Sequence, residues 1–265
     1  MFGHKIYRNL WTLTTFSGAV DESWFYTVSI ALEAHSAEII RLCLDISEAS
    51  NDEDYPHLQS LLHELATKIN ELTSTLVRMY EENIPAVFYQ RVRPYLAGWL
   101  NNDALPGGIY YGNETTPRKY AGGSAAQSPL IQSLDIVLGI RHAKCLDHEN
   151  TGVGSAGNYL VGMRRYMSTS HREFLGWLEE NINIHAMLNR PGVPANVHEA
   201  FNGCVSSLRT FRDKHMAMVC AYVNVQATKC AIKGEAELKG TGGSNPIPFL
   251  KEIRSHMDKV VIGDK

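Results

Sequence analysis

The sequence predicts an all-α protein, a multi-helix bundle folded as one helical domain over residues 1–265. Three observations predict it. Apolar residues recur every three or four positions through several long segments, which is the period of a helix with one buried face. No segment sustains the strict polar–apolar alternation of a half-buried strand. Gly, Pro and Asn gather in the joints between the periodic segments, where helices stop.

The elements follow in order along the chain. Residues 1–20 carry no period and form an N-terminal connecting segment. Asp21, Glu22 and Ser23 set hydrogen-bond acceptors ahead of a stripe of Phe25, Val28, Leu32, Ile39, Leu42 and Ile46, which predicts a capped helix of about seven turns. Acidic Asn51–Pro56 reads as a turn. Leu58, Leu61, Leu65, Ile69, Leu72, Leu76 and Met79 then predict a second amphipathic helix ending before Pro85. Residues 101–123, rich in Gly, Pro, Asn and Tyr, form a loop. Leu130–Ile140 reads as a short apolar helix with one carboxylate, Asp135, and His142–Gly157 as a second loop. Helices follow at Tyr159–Met167 and Ser170–Asn181, where Ser170 and Glu173 fit a capping box. The longest stripe, in Val197–Val225, runs Phe201, Cys204, Leu208, Phe211, His215, Val219 and Tyr222, with the helix continuing to roughly Lys233. A glycine-rich loop, 234–246, leads to a last helix, Pro248–Val260.

Composition narrows the function. A chain of 265 residues that is 44% apolar can bury a large core. A net charge of −3, with no Lys/Arg block, gives no general attraction to nucleic acid or anionic membrane, and neither is expected as a partner. Five widely spaced cysteines are an odd number, which argues against a disulfide framework and for a reducing compartment. The N-terminus has no signal-like apolar run and no segment has the length of a membrane span, so a cytoplasmic protein is expected.

His215 occupies a core-facing position, which has two readings. One is a neutral imidazole hydrogen-bonded within the core; the other is an axial ligand to iron. Asp135 needs a cationic or donor partner if buried, and Arg212, one turn before His215, is the expected one. The glycine-rich stretches 120–128 and 239–245 match no nucleotide fingerprint. They are either interhelix joints or loops whose amides approach a ligand's carboxylates. His142, Cys145 and His148 have a spacing that offers three ligands to zinc, but a fourth is not obvious, and a solvated loop explains them.

Six ordered strings carry a family resemblance: FYQRVRPYLAGW (Phe88–Trp99), AGGSAAQS (Ala121–Ser128), LDIVLG (Leu134–Gly139), MRRYM (Met163–Met167) with His171 and Arg172, RDKH (Arg212–His215), and KGTGGS (Lys239–Ser244) with FLK (Phe249–Lys251). Together they resemble the catalytic large domain of the indoleamine 2,3-dioxygenases, from about Tyr7 to about Val260. The resemblance implies the family's helical heme domain, with heme b as cofactor. It also implies insertion of O2 across the indole C2–C3 bond of L-tryptophan, giving N-formylkynurenine. By it His215 is the proximal heme ligand and the metal-binding residue, and Gly123, Ser124, Ala125, Asp135 and Arg212 surround the cofactor. Phe25, Phe88, Arg93, Ala125 and Thr241 meet the substrate, with Arg93 on its carboxylate, and Ser29, Phe88 and Arg93 are the catalytic positions. An electron donor that keeps the heme ferrous is a further implied partner.

Three departures bear on these expectations. Family members carry a small helical domain ahead of the matched region, so three readings stand: a family member without that cap and with a more open pocket, a fragment of a longer chain, or a site whose distal pocket a second chain completes. Ser168 and Thr169 stand where the family has Pro-Pro. Aromatic positions near Phe25 and Phe88 are Tyr26 and Tyr89, which add hydroxyls to an apolar pocket and open the way to another indole or to mono-oxygenation. A heme-binding or sensor-like protein without turnover, and a helical interaction module without heme, are the alternatives from other functional classes.

Overall fold

The longest stripes become the walls of the core. The computed structural model describes residues 10–100, 102–142, 156–182, 184–231 and 246–263. Helix α1 (Val20–Asn51) runs alongside α2 (Tyr55–Val77), and α2 lies along the long helix α10 (Ala195–Val219). One continuous apolar cluster joins Val28, Ile39 and Ile46 of α1, Leu62, Leu65 and Ile69 of α2, and Phe201, Cys204 and Leu208 of α10. Within it the Cys204 thiol donates to the Leu62 carbonyl at 2.9 Å. No strand occurs among the described residues; an isolated bridge between Ile109 and Arg118 fastens the 101–123 loop.

After α2 the chain makes short helices α3 (Met79–Glu82) and α4 (Pro85–Val87), a π turn (Phe88–Val92) and α5 (Arg93–Leu96). A 3-10 turn (Ala125–Gln127) leads into α6 (Pro129–Val137), which packs on α1 and on α8 (Thr169–Asn181). Between them lie α7 (Ala156–Met163) and a 3-10 turn, Arg164–Tyr166. Short α9 (Ile184–Leu188) precedes α10, which passes through a second π turn (Cys220–Asn224) into α11 (Val225–Ala231). Helix α12 (Pro246–His256), extended by a 3-10 turn at Met257–Lys259, packs on α10 and α7.

Several local expectations need correction. Asp21, Glu22 and Ser23 do not precede the first helix: it begins at Val20, and its N-cap, Ala19, has no capping side chain. Glu22 instead reaches back from the first turn and accepts from the Phe16 and Ser17 amides at 2.8 and 2.7 Å, while Asp21 accepts from the Ile84 amide at 2.6 Å. The carboxylates thus tie other segments to the helix start, where the dipole favours them. Ser168, not Ser170, caps α8, accepting from the His171 amide. The helix expected over Tyr159–Met167 ends at Met163 and tightens into the 3-10 turn. The predicted 234–246 loop lies almost wholly outside the described residues.

Gly139 turns the chain after α6. Its φ of +67° lies in the left-handed region, the Ile140 amide returns to the Asp135 carbonyl at 2.8 Å, and an added Cβ would come within 2.9 Å of the His185 Cβ. This is a glycine stop at a helix C-terminus, and it sends residues 140–142 back toward Asp135. Gly139→Ala should therefore destabilise the fold by about 1–2 kcal/mol from the backbone conformation alone. In thermal unfolding followed by circular dichroism the midpoint should drop by roughly 2–4 °C for each of those kcal/mol; an unchanged midpoint would contradict the assignment.

Candidate functional site

Helix α10 carries its apolar stripe into a polar end. Phe201, Cys204 and Leu208 are fully buried, Phe211 nearly so, and the next stripe position is His215. The His215 ring is half-buried and makes no hydrogen bond to any described residue. Burial first, and the neighbouring Arg212 charge second, push its pKa down to about 4. At neutral pH it is an uncharged imidazole with a nitrogen lone pair available to a Lewis acid.

One turn earlier, Arg212 is 6% exposed and pairs through Nη2 with Oδ1 of Asp135, itself 3% exposed on α6. The other oxygen, Oδ2, accepts from His142 Nε2 at 2.8 Å, and His142 Nδ1 lies 3.0 Å from Nδ1 of His256 on α12. An ionised carboxylate only accepts, so His142 donates through Nε2. Burial, with His142 next, lowers the pKa of His256. The Nη1 amino group of Arg212 is also buried, and it has no partner among the described residues. The solvated loop expected from His142 onward is therefore wrong at its first residue, whose side chain is 9% exposed; Cys145 and His148 lie outside the described residues.

The AGGSAAQS string packs against α6, α7 and the Arg164–Tyr166 turn and is fastened at several points. Gly98 packs so closely on it that a Cβ would come within 2.2 Å of the Gly122 nitrogen, so only glycine fits there. Trp99 and Leu100 amides both donate to the Tyr120 carbonyl at 2.9 Å, the Tyr166 hydroxyl accepts from the Ala121 amide at 2.8 Å, and the Gly123 amide donates to the Leu96 carbonyl at 3.2 Å. Ser124 caps the Ala125–Gln127 turn, its hydroxyl oxygen accepting from the Ala126 amide and from the Tyr159 hydroxyl, both at 3.3 Å. Its own hydroxyl proton has no acceptor among the described residues.

The Gly123–Leu96 bond ties this loop to the segment bearing Phe88 and Arg93. There the Arg93 amide donates to the Phe88 carbonyl five residues back, which closes the wide turn. Pro94 lacks the amide that would continue a regular α-helical ladder. Arg93 is half-buried, its guanidinium 5.3 Å from the Tyr89 ring centre, and burial lowers its pKa. Phe88 packs 5.0 Å from Phe25 and 5.7 Å from Tyr222, making an aromatic wall. Tyr222 is held by donation to the Asn83 carbonyl at 2.5 Å. The Ser29 hydroxyl donates to the Phe25 carbonyl at 2.8 Å and so spends its proton on its own helix. The Tyr26 hydroxyl, expected to add polarity to an apolar pocket, is hydrogen-bonded to Glu22. Thr241 lies outside the described residues.

The structure thus groups the expected residues into two constellations. Asp135 and Arg212 pair beside His215, while Ser124 lies in the loop leading into α6, the helix that carries Asp135; Phe25, Ser29, Phe88 and Arg93 lie on α1 and the Pro85–Leu96 segment. Sequence reasoning missed His142, His256 and Tyr222 as parts of them. Tyr222 was already legible as a stripe position, but the two histidines come together across 114 residues of sequence and leave no local signal.

The His215 environment sets a pH dependence. Its folded pKa, about 4, lies below the ordinary 6.5, so the stability of its neutral form is complete above pH 6.5 and is lost as pH falls from there toward 4. The ligand-free chain should lose roughly 3 kcal/mol over that window through this group. In urea unfolding at a series of pH values, the stability of wild type relative to His215→Leu should fall by that amount between pH 6.5 and 4; parallel curves would mean that the imidazole is not desolvated.

The chain matches the family model described as indoleamine 2,3-dioxygenase over residues 3–260. It is 38% identical to the indoleamine 2,3-dioxygenase of Saccharomyces cerevisiae, covering 93% of this chain and 60% of that protein. An indoleamine 2,3-dioxygenase of Aspergillus nanangensis is 36% identical over 95% of this chain and 62% of its own length. A 6-hydroxytryptophan 2,3-dioxygenase of Fusarium equiseti is 31% identical over 92% and 62%. The chain spans about three fifths of the length of these relatives. Ordered strings, helical architecture and family match agree, and the chain belongs to the indoleamine 2,3-dioxygenase family.

Proposed function

We propose that this chain is the helical heme-binding catalytic domain of a dioxygenase that acts on L-tryptophan or a related indole and yields an N-formylkynurenine-type product. The observation that carries the reading is His215, a desolvated, neutral imidazole without a hydrogen-bond partner among the described residues. The remaining donors fit heme as well. A cofactor with two carboxylates needs buried cationic donors beside the iron ligand, and Arg212 Nη1 is a buried amino group without a partner among the described residues.

In this reading His215 holds the iron, while Arg212, kept in place by Asp135, and the Gly123–Ala125 loop hold the carboxylates. Heme, when bound, supplies the reductive activation of O2 at ferrous iron, and an external electron donor maintains that state. The chain's own contribution is placement and exclusion of water. Phe25 and Phe88 flank the indole. Arg93 takes the substrate carboxylate, a task its planar fork suits, and its burial makes that charge worth more than on a wet surface. Ser29 lends a lone pair rather than a proton, and Thr241 closes the amino-acid end of the substrate. None of these groups is a strong base, which suits a reaction in which the electron-rich indole is the nucleophile.

The substrate's ring substituents are a separate matter. One relative is named for 6-hydroxytryptophan, and the Tyr26 hydroxyl is engaged by Glu22 rather than pointed unpaired at a ligand. Tryptophan and hydroxylated tryptophans are therefore the substrates to compare.

Purified protein supplied with heme should show a Soret band, and with ascorbate and O2 should convert an indole amino acid to a product with the near-ultraviolet absorbance of a formylkynurenine. A normal ferrous heme with no turnover of any indole amino acid would instead leave a heme-binding protein. Arg93→Ala should lower kcat/KM for the amino acid by roughly 10–100-fold, the loss of one charge-assisted pair. It should leave the slow turnover of an indole lacking the carboxylate unchanged, and Arg93→Lys should recover only part.

A further inference from the structure

The Asp135 carboxylate is held from two directions, and only one of them belongs to the cofactor side. Arg212 takes Oδ1; His142 takes Oδ2, and His256 stands behind His142. All four side chains are nearly excluded from water. A carboxylate with a single partner rotates about its last bond, and the guanidinium paired with it follows. With both oxygens engaged, Asp135 has one orientation, and so does the amino group that Arg212 has left over. That group, Nη1, is buried and without a partner among the described residues.

The protonation pattern closes on itself. His142 donates through Nε2 to the carboxylate, so in its neutral form Nδ1 accepts, and His256 supplies the proton from its own Nδ1. Burial favours the neutral form of His256. Around this pair stand Arg212 on α10, Asp135 on α6, and Lys259 and Glu252 on the α12 side. The last turn of α6 makes the arrangement possible, since the left-handed Gly139 folds residues 140–142 back under their own helix.

We propose that His142, backed by His256, is a positioning residue of the cofactor pocket: by fixing the second oxygen of Asp135 it aims the free amino group of Arg212 at a carboxylate of the cofactor. The inference rests on the heme reading of His215 and adds to it a residue seven positions beyond Asp135 that touches neither cofactor nor substrate.

Two polar substitutions separate the bonds of His142. In His142→Gln the side-chain amide reaches the position of Nε2 and keeps the bond to Asp135, while in His142→Asn the shorter amide stays near Nδ1 and keeps only the contact with His256. The measurement is the rate at which heme passes from each holoprotein to excess apomyoglobin, read with the Soret band of the starting holoprotein. His142→Asn should release heme roughly 10–100-fold faster than wild type, the usual effect of losing an outer partner of a metal site. His142→Gln should stay close to wild type. Equal rates in the two variants, whether both slow or both fast, would overturn the proposal. A wild-type protein that takes up no heme at all would overturn the reading beneath it instead, and the Soret band distinguishes the two failures.

Discussion

A carboxylate almost wholly removed from water sets the geometry on which the rest depends. Taking Asp135 and Arg212 out of solvent costs several kcal/mol per ion, and their mutual attraction offsets this only if the remaining lone pairs and protons are satisfied. Both oxygens of Asp135 are satisfied, one by α10 and one by the chain returning from α6. Such a pair is weak evidence for stability, because well-packed apolar residues would serve a core as well or better. What it provides is a fixed relation between α6, α10 and, through His256, α12. That relation sets where the cation beside His215 points.

The histidines of the site divide by their partners. His142 and His256 have theirs, and the direction of their hydrogen bonds follows from the acceptor-only carboxylate at the end of the row. His215 has none among the described residues, although it sits on the same helix as Arg212 and its charged form is disfavoured. A structural histidine is ordinarily the partnered kind. The imidazole without one is the imidazole with a lone pair to give, and the low pKa that costs the ligand-free chain stability in acid also keeps that lone pair unprotonated at neutral pH.

Periodicity carried the large features. The stripes through α1, α2 and α10 were legible because each spans many turns, so that single exceptions do not hide the period, and His215 stood out as a polar residue in an apolar column. Asp135 was legible for the same reason, and so was its need for a cation; Arg212 supplies it. Caps were read less well. Asp21, Glu22 and Ser170 have the chemistry of caps, yet Glu22 serves the preceding loop from inside its helix and Ser168 takes the place of Ser170, since several acceptors lay within reach and packing chose among them. His142 was read as a solvated loop residue because its surroundings are polar in sequence. Its partners in space are an α6 carboxylate and an α12 imidazole, and only the tertiary fold brings the last of these near.

The π turns were invisible for a different reason: they are phase slips, and a stripe that slips once still looks like a stripe. Phe88–Val92 and Cys220–Asn224 pack against each other, which puts two irregular turns at the same place in the bundle. Wide turns of this kind have poorer hydrogen bonding than an α-helix and are found frequently at functional sites. In a regular helix Arg93 would stand roughly 140° around the axis from Phe88. The extra residue in the turn cancels most of that angle, and the Arg93 amide returns to the Phe88 carbonyl. The Phe88 and Arg93 positions are thereby brought nearer around the axis, with Tyr222 of the opposing turn against the Phe88 ring and the Arg93 guanidinium over Tyr89. In the proposed reading an aromatic substrate bearing a carboxylate needs these two positions close together, and an uninterrupted helix of the same sequence would turn them further apart.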